Sequence, residues 1–410
     1  MNKNISSGNA SQDGEPVPIA SLRELIDMVT GRAFQSQMEQ EDAGLAEVLP
    51  FPFLGLVGQM EMKLALLIAV INPLVSGVIL VGPRGTGKTT IVRSLTNLLP
   101  NVTRSACYYG CLPEDIETGG VDAVCPDCAR KYGEGQPLTR IDRGRLIELP
   151  LNARLEDVIG GLDERAAIHN RMRLKSGILK QADLNVLYLD EVNLLGDEII
   201  NAILDAAAQG TYTVRRGPVS SVYRSRFTLV GSMNPEEGNL RPQIMDRFGL
   251  RVIVRGLEDP RERVEAYRRS RAYRLNPRAT VNQYAYETEL AQEEILAARS
   301  LLPTVEIPPA VELIGTKLVQ QLGIDSLRAE ITLFEAARAL AAADARQSVN
   351  LEDLRTVAPL ALRLRQSPFM IQYFKDQGTA EKHLTEMLNS ILEPPDSSSE
   401  EGNNGEQKRD

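Results

Sequence analysis

Short apolar runs alternate with helical patterns along the middle of the chain. The runs cover residues 78–81, 146–149, 186–189, 227–231 and 250–254. Continuous apolar runs predict strands buried on both faces, and their alternation with helices predicts a largely parallel sheet. From about Glu258 onward the pattern predicts helices alone, over 259–273, 288–300, 309–322 and 326–343. We therefore expect an α/β domain followed by a smaller all-helical domain.

Residues 64–82 carry no charge, and these 19 residues are long enough for a membrane span. Asn72-Pro73 and Ser76-Gly77 interrupt the segment. We therefore interpret it as a buried helix over 62–70, a turn, and the strand at 78–81. The first thirty residues lack the pattern of a signal peptide, so we expect a cytoplasmic protein without a membrane span.

Both ends of the chain are polar. Residues 1–48 form an extension that we expect to be partly disordered, with a candidate helix over 21–35. Residues 393–410 have almost no apolar side chain and predict a disordered acidic tail. The domains expected between these ends are 49–257, with a cysteine-containing insert at 107–128, and 258–392.

The composition is that of an ordinary globular protein, with 410 residues and 43% hydrophobic content. Lys plus Arg number 46 and Asp plus Glu number 55, which gives 46 − 55 = −9. A net negative charge argues against a nucleic-acid partner for the chain as a whole.

The segment after the first strand carries a phosphate-binding motif, G-x-x-x-x-G-K-[ST]. Its residues are Gly82, Pro83, Arg84, Gly85, Thr86, Gly87, Lys88 and Thr89. A strand before it and a helix over 89–98 after it are the context that this motif requires. Backbone N–H groups and Lys88 would bind the phosphates of ATP, and Thr89 would ligate Mg²⁺. An accidental glycine-rich turn is the alternative.

Polar side chains follow two other buried strands. Asp190 and Glu191 end the run at 186–189, and Asn234 follows the run at 227–231. Carboxylates at the carboxyl edge of a parallel sheet suit Mg²⁺ binding by Asp190 and activation of water by Glu191. Asn234 could align that water, although an Asn before Pro235 could also simply open a turn.

These motifs resemble the AAA+ ATPase subunit I of magnesium chelatase. The resemblance covers about 51–364 and rests on G-P-R-G-T-G-K-T, on L-D-E-V-N-L-L at 189–195, and on M-N-P-E-E-G-N-L-R-P-Q-I-M-D-R-F-G at 233–249. The last string occurs in far fewer protein families than the other two. The resemblance implies a P-loop AAA+ domain with a helical lid.

The resemblance also implies a homo-oligomeric ring, a hexamer, with ATP at each interface. Arg247 matches the family's arginine finger, Asn234 its sensor 1 and Arg328 its sensor 2 arginine. A cation in the first turn of a helix costs about 0.3 to 1 kcal/mol, which a bound phosphate would reverse. A surface salt bridge for Arg247 and a solvated helix position for Arg328 are the alternatives.

Two partners are implied as well, an AAA+ subunit with an integrin-type domain and a large porphyrin-binding subunit. The complex would couple ATP hydrolysis to insertion of Mg²⁺ into protoporphyrin IX. Two segments depart from the family pattern, 173–183 and the basic Val214-Arg215-Arg216-Gly217. The resemblance implies that both lie in insert hairpins that face partner subunits or the ring pore, so the departures bear on the identity of the partner and not on hydrolysis. Neither His169 nor His383 has a ligand partner at useful spacing, so no porphyrin site is expected.

The four cysteines read C-x₃-C-x₁₃-C-x₂-C, at Cys107, Cys111, Cys125 and Cys128. Two close pairs can supply four thiolates to a structural Zn²⁺. Reduced free thiols or a redox-sensitive pair are the competing interpretations.

Two other functions remain open. A MoxR-like or cobaltochelatase-type chaperone would serve a different metal insertion. A nucleotide-gated module would bind ATP without turnover, but Glu191, Asn234 and Arg247 argue for hydrolysis.

Overall fold

The computed structural model of the chain describes residues 49–107, 109–162, 174–216, 219–238 and 240–366, together with 382, 383 and 387. The extension at 1–48, with its candidate helix at 21–35, His169 and the tail at 393–410 lie outside these residues. All the described residues except Leu49 belong to one compact unit.

In chain order, the strands of the described residues are β1 (Val78–Val81), β2 (Asn101–Ser105), β3 (Thr139–Arg143), β4 (Leu146–Leu149), β5 (Gly160–Leu162), β6 (Leu174–Ser176), β7 (Val186–Leu189), β8 (Thr211–Arg216), β9 (Val219–Arg224), β10 (Thr228–Met233) and β11 (Leu250–Ile253). The helices up to the last strand are α1 (Met60–Ile71), α2 (Lys88–Ser94), α3 (Pro113–Gly119), α4 (Pro126–Gly133), α5 (Leu155–Ile159), α6 (Ile178–Ala182), α7 (Asp197–Gln209) and α8 (Pro242–Arg247). The helices after it are α9 (Pro260–Leu275), α10 (Pro277–Gln283), α11 (Ala285–Leu301), α12 (Pro309–Gln321), α13 (Arg328–Ala343) and α14 (Leu351–Leu362).

The five strands predicted from apolar runs form one sheet. Its order is β11-β1-β10-β7-β4, and every neighbouring pair is parallel. The remaining strands pair as antiparallel hairpins, β2–β3, β5–β6 and β8–β9. The α/β fold class is therefore confirmed, while the hairpins lie in segments that the apolar pattern left unassigned.

Alternate residues of β1 enter two different hydrophobic cores. Val78 and Leu80 lie in a core shared with α1 and the later helices, whereas Ile79 and Val81 lie in a core with α7. This follows from the period of two along a strand, and burial of both faces explains why the run is apolar throughout. No described helix is long and apolar enough to cross a membrane.

The later helices pack on the α1 side of the sheet. Asn72 at the end of α1 donates from Nδ2 to the Glu335 backbone oxygen at 3.1 Å, and Arg299 Nη2 donates to the Val70 oxygen at 2.6 Å. At Gly249 a Cβ would lie 1.7 Å from the Val75 carbonyl oxygen, so glycine alone permits this approach. The helical region predicted beyond Glu258 is thus joined to the sheet by a continuous core.

Candidate nucleotide site

The phosphate-binding loop begins where β1 ends and leads directly into α2. At Gly82 a Cβ would lie 2.3 Å from the Val254 carbonyl oxygen, which excludes any side chain there. Gly85 and Gly87 have φ of 76° and 88°, in the left-handed region that glycine adopts without strain. The motif therefore has the backbone shape that its glycines predict.

Lys88 is folded back into its own loop. Its Nζ donates to the carbonyl oxygens of Gly82 at 2.6 Å and Pro83 at 2.8 Å. Burial lowers the pKa of Lys88, while the negative charges of Asp190 and Glu191 act in the opposite direction. An ammonium group with two carbonyl acceptors can exchange them for phosphate oxygens when a nucleotide binds.

The carboxyl ends of three neighbouring strands bring the candidate side chains together. Val81 pairs with Met233, and Gly231 pairs with Leu189. The loop after β1, the acidic pair after β7 and Asn234 after β10 consequently meet at one edge of the sheet.

A cavity of about 290 Å³ lies at this edge. It is lined by Arg84, Gly85, Thr86, Gly87, Lys88, Thr89, Thr90, Asp190, Glu191, Ser232 and Asn234. Every sequence-predicted residue from Arg84 to Thr89, together with the acidic pair and Asn234, therefore contributes to one space.

Three hydroxyl groups hold the carboxylate of Asp190. Thr89 Oγ1 donates to Asp190 Oδ2 at 3.2 Å, the Tyr188 hydroxyl donates to Oδ1 at 2.8 Å, and the Ser232 hydroxyl also bonds Oδ1. Burial raises the pKa of Tyr188 well above its usual value, so the phenol stays protonated and donates. Sequence reasoning missed Tyr188 and Ser232, although Tyr188 precedes Asp190 by two positions and so shares its face of β7.

Glu191 has a strained backbone and a cationic partner. Its φ is 50°, in the left-handed region that costs a non-glycine residue about 1 kcal/mol or more. Its N–H donates to Ser232 Oγ at 3.1 Å, and its Oε1 lies 3.3 Å from Arg84 Nη2. Arg84 also pairs with Glu237. The Glu191 carboxylate, which would act as the base, is therefore paired with the guanidinium group of Arg84.

Asn234 is almost fully buried, with 2% of its surface exposed. Its Oδ1 accepts a hydrogen bond from the Glu236 N–H at 3.3 Å and caps the short 3-10 helix Pro235–Glu237. The side chain that opens the turn therefore also lines the cavity.

Arg247 lies at the opposite edge of the sheet. It ends α8, two residues before Gly249, whose N–H donates to the Ser76 oxygen, and Leu250 pairs with Val78 at the start of β1. Four strand residues span roughly 13 Å, so the length of β1 lies between the point where the segment after Arg247 enters the sheet and the phosphate-binding loop of the same chain. Its Nη1 lies 2.5 Å from Asp205 Oδ1 on α7.

Arg328 is likewise absent from the residues that line the 290 Å³ cavity. It begins α13, two residues later than the predicted start at 326, and so lies in the first turn as predicted. Its Nη1 lies 3.2 Å from Asp246 Oδ2. Asp246 also accepts from Arg365 at 2.9 Å, and Arg251 is 3.6 Å away. The structure thus brings Arg328 beside the residue that precedes Arg247, not to the cavity of the same chain.

The four cysteines form a separate cluster. Their sulfur atoms all lie within 4.8 Å of one another, and none is in a disulfide. Burial alone would raise the pKa of Cys107, but hydrogen bonds from Ser105 and the Cys111 backbone lower it to about 6. Burial raises the pKa of Cys111 to about 11.

A phosphate-binding loop, an acidic pair and a polar residue on adjacent parallel strands, followed by a helical region, define an AAA+ P-loop ATPase. Comparison with known families agrees. The family described as "AAA domain" matches residues 76–220, and the family described as "AAA lid domain" matches residues 315–386.

Curated relatives narrow the class to one family. The chain is 40% identical over 344 residues to "Magnesium-chelatase subunit ChlI homolog" of Methanocaldococcus jannaschii, covering 80% of this chain and 92% of that protein. It is 41% identical over 322 residues to "Magnesium-chelatase 38 kDa subunit" of Acidiphilium rubrum, covering 78% and 92%. The chain therefore belongs to the magnesium-chelatase subunit I family, as the sequence motifs predicted.

A solved structure described as a model of the complex between subunits BchI and BchD of magnesium chelatase contains a chain that is 36% identical. The match covers 77% of this chain and 96% of that chain, with a TM-score of 0.44.

Proposed function

We propose that this protein is the ATP-hydrolysing motor subunit of a magnesium chelatase, which inserts Mg²⁺ into protoporphyrin IX for chlorophyll or bacteriochlorophyll synthesis. The observation that carries the proposal is the single cavity shared by the phosphate-binding loop, the acidic pair and Asn234. Family membership supports the choice of chelatase among the AAA+ ATPases.

The residues of the cavity suit Mg-ATP. The hydroxyl of Thr89 and the carboxylate of Asp190, 3.2 Å apart, are the hard oxygen donors that Mg²⁺ prefers. When bound, the ion would neutralise charge on the phosphates. Lys88 would leave the Gly82 and Pro83 carbonyl oxygens for the β and γ phosphates. Glu191 would separate from Arg84, accept a proton from water and direct that water, which Asn234 aligns, at the γ-phosphate.

The nucleoside would occupy a second cavity of about 420 Å³ at the carboxyl end of β11. Gln59, Val252, Leu257 and Arg363 are among the residues that line it. β11 neighbours β1, and the Val254 N–H donates to the Val81 oxygen at 2.7 Å, so the cavity lies beside the phosphate-binding loop. The sequence did not predict this cavity, because the residues that line it belong to no recognised sequence motif.

The arginine finger would act in trans. Arg247 lies near the amino-terminal ends of the parallel strands, whereas the phosphate-binding loop lies at their carboxyl-terminal ends. A head-to-tail ring would therefore present Arg247 to the site of the next subunit. Arg328, linked to the same segment through Asp246, would approach that neighbouring site as well. A ring of six copies is the proposed assembly.

The partners proposed are an AAA+ subunit with an integrin-type domain and a large porphyrin-binding subunit. The segments that depart from the family pattern contribute to the β5–β6 and β8–β9 hairpins and to α6, apart from Arg173 and Gly217, which lie outside the described residues. Arg215 is exposed on β8. We assign these hairpins to partner contacts. The four unpaired cysteines suit a reducing compartment, which supports a cytoplasmic location.

The test compares phosphate release by the wild-type protein and by Glu191→Gln. The variant should retain ATP and lose turnover by about 10² to 10⁴ fold, because it cannot accept the proton of the attacking water. Glu198→Gln, a change of an exposed carboxylate at the start of α7, is the matched control and should leave the rate unchanged. Equal rates in wild type and Glu191→Gln would contradict the assignment of the base.

The chelatase function is tested by adding the two partner subunits and following Mg-protoporphyrin fluorescence. Metal insertion that requires this chain, ATP and both partners supports the proposal. ATP hydrolysis that is indifferent to both partners would favour a MoxR-like or cobaltochelatase-type chaperone instead.

A further inference from the structure

Four cysteines converge in the insert between β2 and β3. We propose that Cys107, Cys111, Cys125 and Cys128 bind one structural Zn²⁺ ion. This proposal does not depend on the proposed function, since none of these residues lines either cavity of the nucleotide site.

The sulfur positions fit a single tetrahedral ion. Zinc–sulfur bonds of about 2.3 Å place the four sulfurs of a tetrahedral site roughly 3.8 Å apart. The observed separations, all within 4.8 Å, need only small side-chain rotations to reach this value. An iron–sulfur cluster would spread the four sulfurs farther apart, because several iron atoms stand between them.

Backbone N–H groups already point at the sulfurs. The Cys111 N–H donates to Cys107 Sγ, and the Cys125 N–H donates to Cys111 Sγ, each at 3.3 Å. Such donors stabilise metal-bound thiolates and fix the orientation of the ligands. These hydrogen bonds therefore link the two halves of the motif across the 13 residues between Cys111 and Cys125.

The insert has too little apolar core to hold itself together. Within residues 106–138, leaving aside Tyr108, which lies outside the described residues, the buried side chains are Cys111, Ile116, Cys128 and Leu138. The helices α3 and α4 have seven and eight residues and are too short to be stable alone. A segment of this size with so few buried groups needs a metal or disulfides to order it.

Disulfides do not explain the cluster equally well. Two disulfides would separate the four sulfurs into two pairs with S–S bonds of about 2 Å, whereas in this protein all four are mutually close and all are free. Burial of Cys128, which is 1% exposed, also protects that sulfur from oxidants in solution.

Arg224 links the insert to the β8–β9 hairpin. Arg224 at the end of β9 donates from Nη1 to the Gly110 oxygen at 2.9 Å and pairs with Asp115 at the start of α3. Gly110 and Asp115 flank Cys111. A zinc ion that fixes Cys111 would therefore also fix the surface on which the hairpin rests.

The experiment uses the full-length chain purified under reducing conditions without chelators. Elemental analysis should find about one zinc per chain, and Co²⁺ substitution should give the visible bands of tetrahedral thiolate coordination. The double variant Cys125→Ser with Cys128→Ser should lose the zinc. Hydrogen exchange should then rise at residues 106–138 and in the β8–β9 hairpin, but not in the five-stranded sheet.

Glu117→Gln, a change of an exposed side chain on α3, is the matched control and should keep the zinc. If the double variant does not fold, chelation of the wild-type protein followed by Zn²⁺ addition gives the same comparison. Fewer than about 0.1 zinc per chain with four reactive thiols, stoichiometric iron, or full zinc retention in the double variant would each overturn the proposal.

Discussion

The side chain of Asn234 makes a structural contact and also has a proposed catalytic role. Its oxygen caps the 3-10 helix that follows β10, and the side chain also faces the nucleotide cavity. A serine at this position can still cap a helix start but is too short to reach a water molecule beside the γ-phosphate. Stability and catalysis should therefore respond differently to this change.

For Asn234→Ser we expect the rate of ATP hydrolysis to fall by about 10² fold, the usual effect of removing one oriented polar group from a reacting centre. Affinity for a fluorescent ATP analogue should change by less than a few fold. Phosphate release and a binding titration measure the two quantities. Glu236→Gln, a change of the exposed neighbour, is the control. A parallel loss of binding and turnover would contradict the role in aligning water.

Asp246 joins three elements of the structure. It follows Met245 in α8, contacts Arg328 of α13, and is the counter-charge of Arg251 on β11 and of Arg365 after α14. The side chains of both Arg251 and Arg365 are 1% exposed. Burial lowers the pKa of Arg251 to about 9, which shows how poorly this position solvates a charge.

Asp246→Asn should therefore lower the free energy of unfolding by about 3 kcal/mol, because two buried guanidinium groups lose their counter-charge. Urea unfolding followed by circular dichroism measures the change. Asp205, the partner of Arg247, is more exposed than Asp246. Asp205→Asn should therefore change the free energy of unfolding by less than about 1 kcal/mol. Similar values for the two variants would show that the buried network does not anchor the helical region.

The nucleotide site and Arg247 lie at opposite ends of the parallel strands, which has a consequence for the proposed ring. In the proposed ring, the nucleotide site and Arg247 of one subunit would face different neighbours, so each active site would need two copies of the chain. Two defective variants with complementary lesions should then restore activity when they are mixed.

Lys88→Ala removes nucleotide binding but keeps Arg247, and Arg247→Ala keeps the site but lacks the finger. Each alone should lose ATP hydrolysis by about 10³ fold or more. An equal mixture should recover about a quarter of the wild-type rate, because one interface in four pairs an intact site with an intact finger. Phosphate release measured across mixing ratios tests this. No recovery in rings shown to contain both variants would contradict action in trans.

Several features of this protein follow from local sequence alone. The five sheet strands were predicted because strands buried on both faces require uninterrupted apolar runs, and the phosphate-binding loop because its glycines and lysine are adjacent along the chain. The acidic pair and Asn234 followed from one further rule, that parallel strands end at a common edge. The strand predicted at 227–231 ends two residues later than predicted, at Met233, because burial continues through Met233.

Other features depend on contacts between distant segments. Ser232 holds Asp190 because β10 lies beside β7, and Asp246 meets Arg328 because the start of α13 lies beside α8. The short helices α3 and α4 escaped prediction because mixed polar segments carry little periodic signal. Strands and the phosphate-binding loop depend on residues that are close together in the sequence, so the sequence predicts them. Contacts between distant segments depend on how these segments pack and on which charges then meet, and a short stretch of sequence does not specify either.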